Sequence, residues 1–402
     1  MPVFAPDKKG TPGKRKPQAP RRSEVAVEPC TSYDPDAVFD AVTRALGAIG
    51  FTASAGQRVL LKPNLIAQNT PDQATTTHPS VIGAVCRFFT EHGCRVSIGD
   101  SSAFYQGGGT AGAFVTAGID AVAKRYGATL VPFETTRLRK ITSGEYLNPF
   151  YVTEAVFEHD LVVNLPKLKL HRLARYTGAI KNMYGCVVGG SKQVYHKLFQ
   201  HRPDYQEFWG KPLVDVYEAV TPGLTIMDAV VGLDRDGPAA NGEPRHTGVL
   251  LASSNGPALD VACCNMIGFD LEWVPAVREA IHRGLVQADA VTVHGALPAV
   301  PYVRLPDVEV KEGIMRKIDD YVFDAFIMIP VVDRGACTRC DSCIESCAPK
   351  AISYDTEKLP VIDYGTCIRC YCCESYCPQG AISLHGGALN HVIRAARYIL
   401  KL

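Results

Sequence analysis

The sequence predicts a layered α/β domain with a largely parallel sheet, followed by a small α+β domain built around cysteines. Three observations predict it. Between residues 25 and 300, short apolar runs alternate with helical patterns, as in strand–helix–strand crossovers. Between Cys337 and Cys377 lie nine of the chain's fifteen cysteines. The length of 402 residues asks for two or three domains.

The elements follow in order. Residues 1–24 carry seven Lys and Arg and five prolines with almost nothing apolar, which predicts a disordered, solvated basic tail. Arg21-Arg22 is followed by acidic residues and not by an apolar run, so it does not read as a twin-arginine signal. Residues 25–300 form the α/β substrate domain. Arg58–Ile66 reads as a buried strand, and Pro79 starts a helix through Phe89 with Gly93 as its stop. A strand at Cys94–Ile98, a helix over Ala111–Tyr126 and strands at Thr129–Phe133, Asp160–Leu165, Leu224–Val231 and Val249–Ala252 follow. Residues 301–332 are a connector, 333–385 the cysteine domain, and 386–402 an amphipathic helix with Leu389, Val392, Ile393, Ala396 and Ile399 on one face.

The cysteines form two runs, Cys337, Cys340, Cys343, Cys347 and Cys367, Cys370, Cys373, Cys377, each C-x2-C-x2-C-x3-C. A cubane cluster needs ligands converging from a curled loop, and three cysteines spaced three apart provide it. Zinc sites use paired C-x2-C motifs with a longer spacer, and disulfides need an oxidising compartment. The segment resembles a bacterial-type dicluster ferredoxin domain. That resemblance implies two [4Fe–4S] clusters, with the fourth cysteine of each run ligating the other cluster. One cluster would take Cys337, Cys340, Cys343 and Cys377, and the other Cys367, Cys370, Cys373 and Cys347. Cys372 lies between two ligands and reads as packing. The proline that follows Cys377 directly is displaced to Pro349 in the first run, which puts the local loop geometry there in question.

In parallel sheets, ligands gather at the carboxyl ends of strands. Lys62 and Asn64 follow the first strand; Asp100, Ser101 and Ser102 the next; Lys167, Lys169, His171 and Arg172 follow Val162–Pro166; Asp228, Asp234 and Asp236 follow Leu224–Met227. Lys62-Pro63-Asn64, Asn164-Leu165-Pro166-Lys167-Leu168-Lys169-Leu170-His171, Thr177–Gly185 and Asp228…Gly232…Gly237-Pro238 resemble the domain-of-unknown-function family numbered 362. The resemblance implies an iron–sulfur protein of redox function with no settled substrate. It adds weight to Lys62, Asn64, Lys169, His171, Lys181, Asn182 and His196.

Lys62, Lys167, Lys169, Lys181, Arg172 and Arg175 crowd positive charge that favours a carboxylate or phosphate. Lys62, Asn64, Asp100, Lys167, Lys169, Asn182 and Asp228 are the candidate substrate-binding residues. His171, His196 and Lys181 are the candidate catalytic groups, with the histidines as proton donors. The two histidines with Asp100 or Asp228 match no metal-ligand spacing. Gly107–Gly112 matches neither phosphate-loop pattern and reads as a loop. A flavin is neither indicated nor excluded. Cys86, Cys94, Cys263 and Cys264 read as core, and Cys186 as a residue that lines the site.

A net charge of +1 and 47% hydrophobic residues exclude a nucleic-acid-coating chain, and no 18-residue apolar stretch offers a membrane span. The sequence therefore predicts a cytoplasmic iron–sulfur oxidoreductase fed by a soluble ferredoxin or flavodoxin reductase system. Its substrate would be a small anionic or conjugated molecule in a basic cleft. The rival is a non-enzymatic electron carrier or adaptor whose large domain docks on a partner.

Overall fold

A computed structural model describes residues 23–102, 109–199, 202–236, 241–308 and 327–386. The predicted basic tail, apart from its last two residues, and the terminal amphipathic helix lie outside the described residues. So do Gly107 and Gly108.

The large sheet runs in the order β12 (Thr292–His294), β1 (Glu24–Pro29), β11 (Asn241–Ser253), β10 (Leu224–Asp236), β7 (Leu161–Leu165), β2 (Arg58–Pro63), β3 (Arg95–Asp100), β4 (Thr129–Pro132). From β10 to β4 all pairings are parallel, whereas β11 runs antiparallel to β10 and β1. Parallel strands are covered on both faces, and β2 shows why its apolar run is continuous. Val59 and Leu61 pack into one core and Leu60 into another on the opposite face. Helices Pro35–Ala48, Pro79–Glu91 and Ile119–Tyr126 cover the first face; Gly210–Val220 and Gly256–Ile267 cover the second.

Two expectations are corrected, and one segment without a predicted element gains one. The helix foreseen over Ala111–Tyr126 is two, Gly109–Thr116 and Ile119–Tyr126, broken where Gly118 takes φ +71°. β10 continues to Asp236, so Asp228 lies within the strand and Asp234 belongs to a different neighbourhood. Asp234 holds Arg245 at 2.7 Å and the Val303 amide at 3.0 Å. The segment after Pro166 is a strand. Lys167–His171 is β8, parallel to β10 and antiparallel to β9 (Arg175–Thr177). A separate hairpin joins β5 (Leu138–Ile141) to β6 (Phe150–Thr153).

In the cysteine module, β13 (Ile329–Val332) pairs with β16 (Ile382–His385), and β14 (Ile352–Tyr354) with β15 (Pro360–Ile362). β13 falls inside the expected connector, because its backbone completes the outer pair of the module. The two halves repeat closely. Arg339 and Asp341 flank Cys340 with positive φ, as Arg369 and Tyr371 flank Cys370. Left-handed backbone is costly for such residues, and here it curls each C-x2-C-x2-C loop. The displaced proline changes nothing nearby. Lys350 (φ 59°) matches Gly380 (φ 61°), and Ala351 donates to Cys347 Sγ at 3.1 Å as Ala381 does to Cys377 Sγ at 3.2 Å.

Candidate functional site

Period-two alternation in Lys167-Leu168-Lys169-Leu170-His171 sends Leu168 and Leu170 into the core and the two lysines and His171 to the other face. That face meets the ends of β2 and β3. Lys62, Lys167 and Lys169 are at most 1% exposed. They form a buried cluster under a half-buried layer of Asn64, His171, Lys181 and His196.

Buried ammonium groups need partners, and two of these have closed networks. Lys167 Nζ donates to Asp228 Oδ2 (2.9 Å) and to the Tyr33 hydroxyl (2.7 Å). Tyr33 donates to Asp228 Oδ1 (2.9 Å) and stacks on His78, whose backbone amide takes Asp228 Oδ2. Lys62 Nζ donates to Asp100 Oδ2 at 3.0 Å and to the Pro63 carbonyl at 2.9 Å. A Cβ on Gly185 would lie 2.5 Å from Lys62 Nζ and 2.6 Å from Asp100 Oδ1, so the backbone closes over this pair. Among the described residues Lys169 meets only neutral oxygens, Asn64 Oδ1 (2.6 Å) and the Thr75 carbonyl (2.7 Å). Asn64 donates to Asn182 Oδ1, and Asn182 to Asn164 Oδ1, each at 2.8 Å.

Lys181 has no hydrogen-bond partner among the described residues. Burial, with help from Lys62, pushes its amine down to about 8. Burial also lowers His196 to about 3 and His171 well below the ordinary imidazole value, and the Lys181 charge adds to both shifts. His171 Nδ1 accepts from the Leu173 and Ala174 amides at 3.2 Å, which leaves the proton on Nε2. His196 Nδ1 meets the Tyr205 hydroxyl at 3.1 Å, and its ring stacks on Trp209 at 4.0 Å. Lys181, His171, His196 and Lys169 thus share one neighbourhood.

Next to it the cysteine module docks. Ser191 Oγ donates to the Ile368 carbonyl at 2.8 Å, and Gly189 and Gly190 lie so close to Cys370 and Tyr371 that no Cβ would fit. Cys372 is 1% exposed in the same core as Ile180 and Met183. Lys192, one residue past Ser191, donates to the Ser101 carbonyl at 2.9 Å, and burial lowers its amine to about 8. Buried Glu134 accepts from Ser101 Oγ (2.5 Å) and Thr110 Oγ1 (2.8 Å). Its charge reaches both Lys192 and Cys370.

The cysteines of the two runs lie close together. Cys337, Cys340, Cys343 and Cys377 line one cavity together with Val332, Pro360 and Ile382. Cys373, raised first by burial, also feels Cys370, Cys367, Cys347 and Cys343. No three His, Cys, Asp or Glu among the described residues converge on a single metal ion.

Arg175 is turned away from the lysines, binding the Trp273 carbonyl, Asp307 and Glu207, and Arg172 is exposed. Cys186 is buried near Lys62 and Asp100. The sequence reading missed Tyr33, His78, Glu134, Lys192 and Asp260; it placed Ser101 at a strand end and Thr177 within a family motif without assigning either a role. Asp260 accepts from the Ala179 and Ile180 amides and from Tyr176, fixing the turn that carries Lys181.

Fold and site together define an α/β protein with a cysteine-run module seated beside a buried lysine cluster. Residues 59–265 match the model of the domain of unknown function DUF362, and residues 360–383 match that of a 4Fe-4S binding domain. The thylakoid-associated protein sll1697 of Synechocystis sp. is 32% identical over 240 residues, covering 60% of this chain and 72% of that protein. The chain belongs to the DUF362 family, and its C-terminal module is an iron–sulfur one. The lactate racemase apoprotein from Thermoanaerobacterium thermosaccharolyticum aligns with a TM-score of 0.39 at 16% identity, covering 60% of this chain. This chain spans 56% of that one, and a likeness of that size bears on neither reaction nor ligand. Among the described residues, no helix is long and apolar enough to cross a membrane.

Proposed function

We propose that the protein is an iron–sulfur oxidoreductase, working as a reductase on a small anionic substrate held over Lys181, Lys169 and Asn64. Two [4Fe–4S] clusters would be held by the two crossed cysteine sets, whose thiolates line a common cavity in one case and perturb one another in the other. Those clusters supply electrons one at a time.

The observation that carries this reading is the seam. Ser191 Oγ grips the Ile368 carbonyl, so the Cys367–Cys373 loop rests on the turn that leads into Lys192 and His196. A redox module with no work to do on the large domain has no need of so close a seat. Within the site, each two-electron reduction also consumes two protons. Lys181 suits the donor role better than the histidines, because its amine at about 8 is charged at neutral pH while both imidazoles are neutral. His171 Nε2–H would then bind and orient the substrate. Lys62 and Lys167, bound to Asp100 and Asp228, hold the floor of the site and its positive potential.

Electrons would come from a soluble donor of the ferredoxin or flavodoxin reductase kind, in a cytoplasmic setting that keeps the thiolates reduced. The test is anaerobic. Reduced holoprotein is mixed with a panel of small anions and conjugated acids, and cluster absorbance is followed. Substrate-dependent reoxidation that disappears in Cys340→Ser, with anion binding retained, is the expected result. Clusters that stay reduced with every small molecule, yet discharge to a partner protein, would make the chain an electron carrier or adaptor instead.

A further inference from the structure

The inventory of charge around Lys181 goes further than the word anionic. Five lysines, Lys62, Lys167, Lys169, Lys181 and Lys192, meet Asp100, Asp228 and Glu134, while buried Asp260 is taken up by the Ala179 and Ile180 amides and Tyr176. Asp100 serves Lys62 at 3.0 Å and Asp228 serves Lys167 at 2.9 Å, whereas Lys192 donates to the Ser101 carbonyl and feels the charge of Glu134. Lys169 and Lys181 also lack a carboxylate within ion-pair distance among the described residues. Lys169 is bonded only to the uncharged oxygens of Asn64 and Thr75. Lys181 is bonded to nothing described.

A second observation lies on the neighbouring strand. Thr177 is the register partner of Lys169 in the β8–β9 ladder, so both side chains project from the same face. Thr177 is 1% exposed and its hydroxyl has no hydrogen-bond partner among the described residues. Buried hydroxyls are nearly always paired. The groups left free here are the Lys181 ammonium, the third proton of Lys169, the Thr177 hydroxyl and His171 Nε2–H. The ammonium groups and the imidazole N–H can only donate, and the hydroxyl can donate as well.

We propose that the ligand of this site is a small dianion, a dicarboxylate or a phosphate-bearing molecule, that seats its two charges on Lys169 and Lys181 and accepts a hydrogen bond from Thr177. The proposal rests on the placement of the substrate in the reading above and names its class. Burial, with the charges of Lys181 and Lys167, presses the Lys169 amine well below the ordinary lysine value, so a second negative charge beside it is what holds its proton. A monocarboxylate would leave either Lys169 or Lys181 without a counter-charge, and a neutral ligand would leave both.

The test is calorimetric titration of the full-length, anaerobically purified protein with succinate, inorganic phosphate and acetate at pH 7. At least one dianion is expected to bind about tenfold or more tighter than acetate, since pairing a second partly buried charge adds that order of affinity. Preference for succinate over phosphate identifies a dicarboxylate site, and the reverse a phosphate site. Lys181→Gln should remove the advantage of the dianion and Thr177→Val should reduce it, while Lys124→Gln, on an exposed helix surface, should leave it unchanged. Acetate binding as tightly as both dianions would overturn the proposal on unmodified protein, whatever the variants do. Binding needs no electron transfer and neither dianion probe accepts electrons from a cluster, so the reductase reading stands or falls on the panel of small anions and conjugated acids, separately from this titration. Turnover of a monoanion defeats this one alone.

Discussion

Ser191 and Ile368 lie 177 residues apart in sequence, yet the serine hydroxyl donates to the isoleucine carbonyl at 2.8 Å. That bond joins the turn before Lys192 to the loop between Cys367 and Cys370. Around it, the Gly189–Gly190 pair lets the two backbones approach until only hydrogen fits on the Cα atoms. The relationship predicts how the two parts of the chain depend on each other.

Gly190→Ala places a methyl against the Tyr371 hydroxyl. Overpacking of that kind costs about 1–3 kcal/mol, and the module can escape by lifting off its seat. Iron content should stay at the wild-type level while reoxidation by substrate slows by about a hundredfold, as expected for small misplacements of reacting groups. Iron analysis and stopped-flow absorbance measure the two quantities. Unchanged reoxidation would mean that the seat plays no part in electron delivery.

Cys340 and Cys372 should behave oppositely on replacement by serine. Cys340 is exposed and lines the cavity shared by Cys337, Cys343 and Cys377, whereas Cys372 packs in the large-domain core. Cys340→Ser should lose iron and Cys372→Ser should retain it. The second variant buries a hydroxyl and should lower stability by about 1–3 kcal/mol. Equal iron loss in the two would place Cys372 among the ligands.

The pH dependence follows from Lys181. Its folded value of about 8 lies below the unfolded lysine value of 10.5, so the ammonium survives below pH 8 and is lost above it. Anion affinity should fall as pH climbs through about 8, approaching a tenfold loss per unit. Stability moves the other way. Between the folded and unfolded values the unfolded chain binds the proton and the folded chain does not, so this group adds stability as pH rises across that window. His196, near 3, brings no change in affinity between pH 5 and 7. Titration calorimetry across pH 6 to 9 reads the first effect, and Lys181→Gln should flatten it.

Lys62 and Asp100 are both buried, with side chains 1% and 2% exposed. Removing one partner strands the other charge, so Lys62→Met or Asp100→Leu alone should cost about 3–5 kcal/mol. The double variant should cost much less than the sum, because no charge is left behind. Denaturant unfolding of the four proteins gives the coupling, and strict additivity would contradict the pairing.

Much of this was legible beforehand, and the omissions have physical causes. Apolar runs such as Val59-Leu60-Leu61 and Val162-Val163 announced the parallel strands, because two-sided burial leaves little room for polar residues. Lys167-Leu168-Lys169-Leu170-His171 carries its own period-two signal, but Pro166 removes a ladder donor just before it, so a strand there does not stand out. The chain instead resumes pairing with the far part of β10. Tyr33 and His78 left no trace because their meeting with Asp228 spans 195 and 150 residues and follows no motif. Lys192 and Glu134 were equally silent, although the Gly189–Gly190 pair was a sign of close approach. The low value of Lys181 depends on what surrounds it, and spacing along the chain does not report that.

The two halves of the cysteine module fold alike, but only one is covered. The half around Cys367, Cys370 and Cys373 rests on the large domain, while Cys340 of the other faces the medium. Identical loops therefore have unequal exposure to oxygen, whose attack on thiolate-bound iron follows access. With clusters in both sets, as proposed, air would strip the open half first and leave a protein half charged with iron, still seated on the large domain but cut off from the proposed donor.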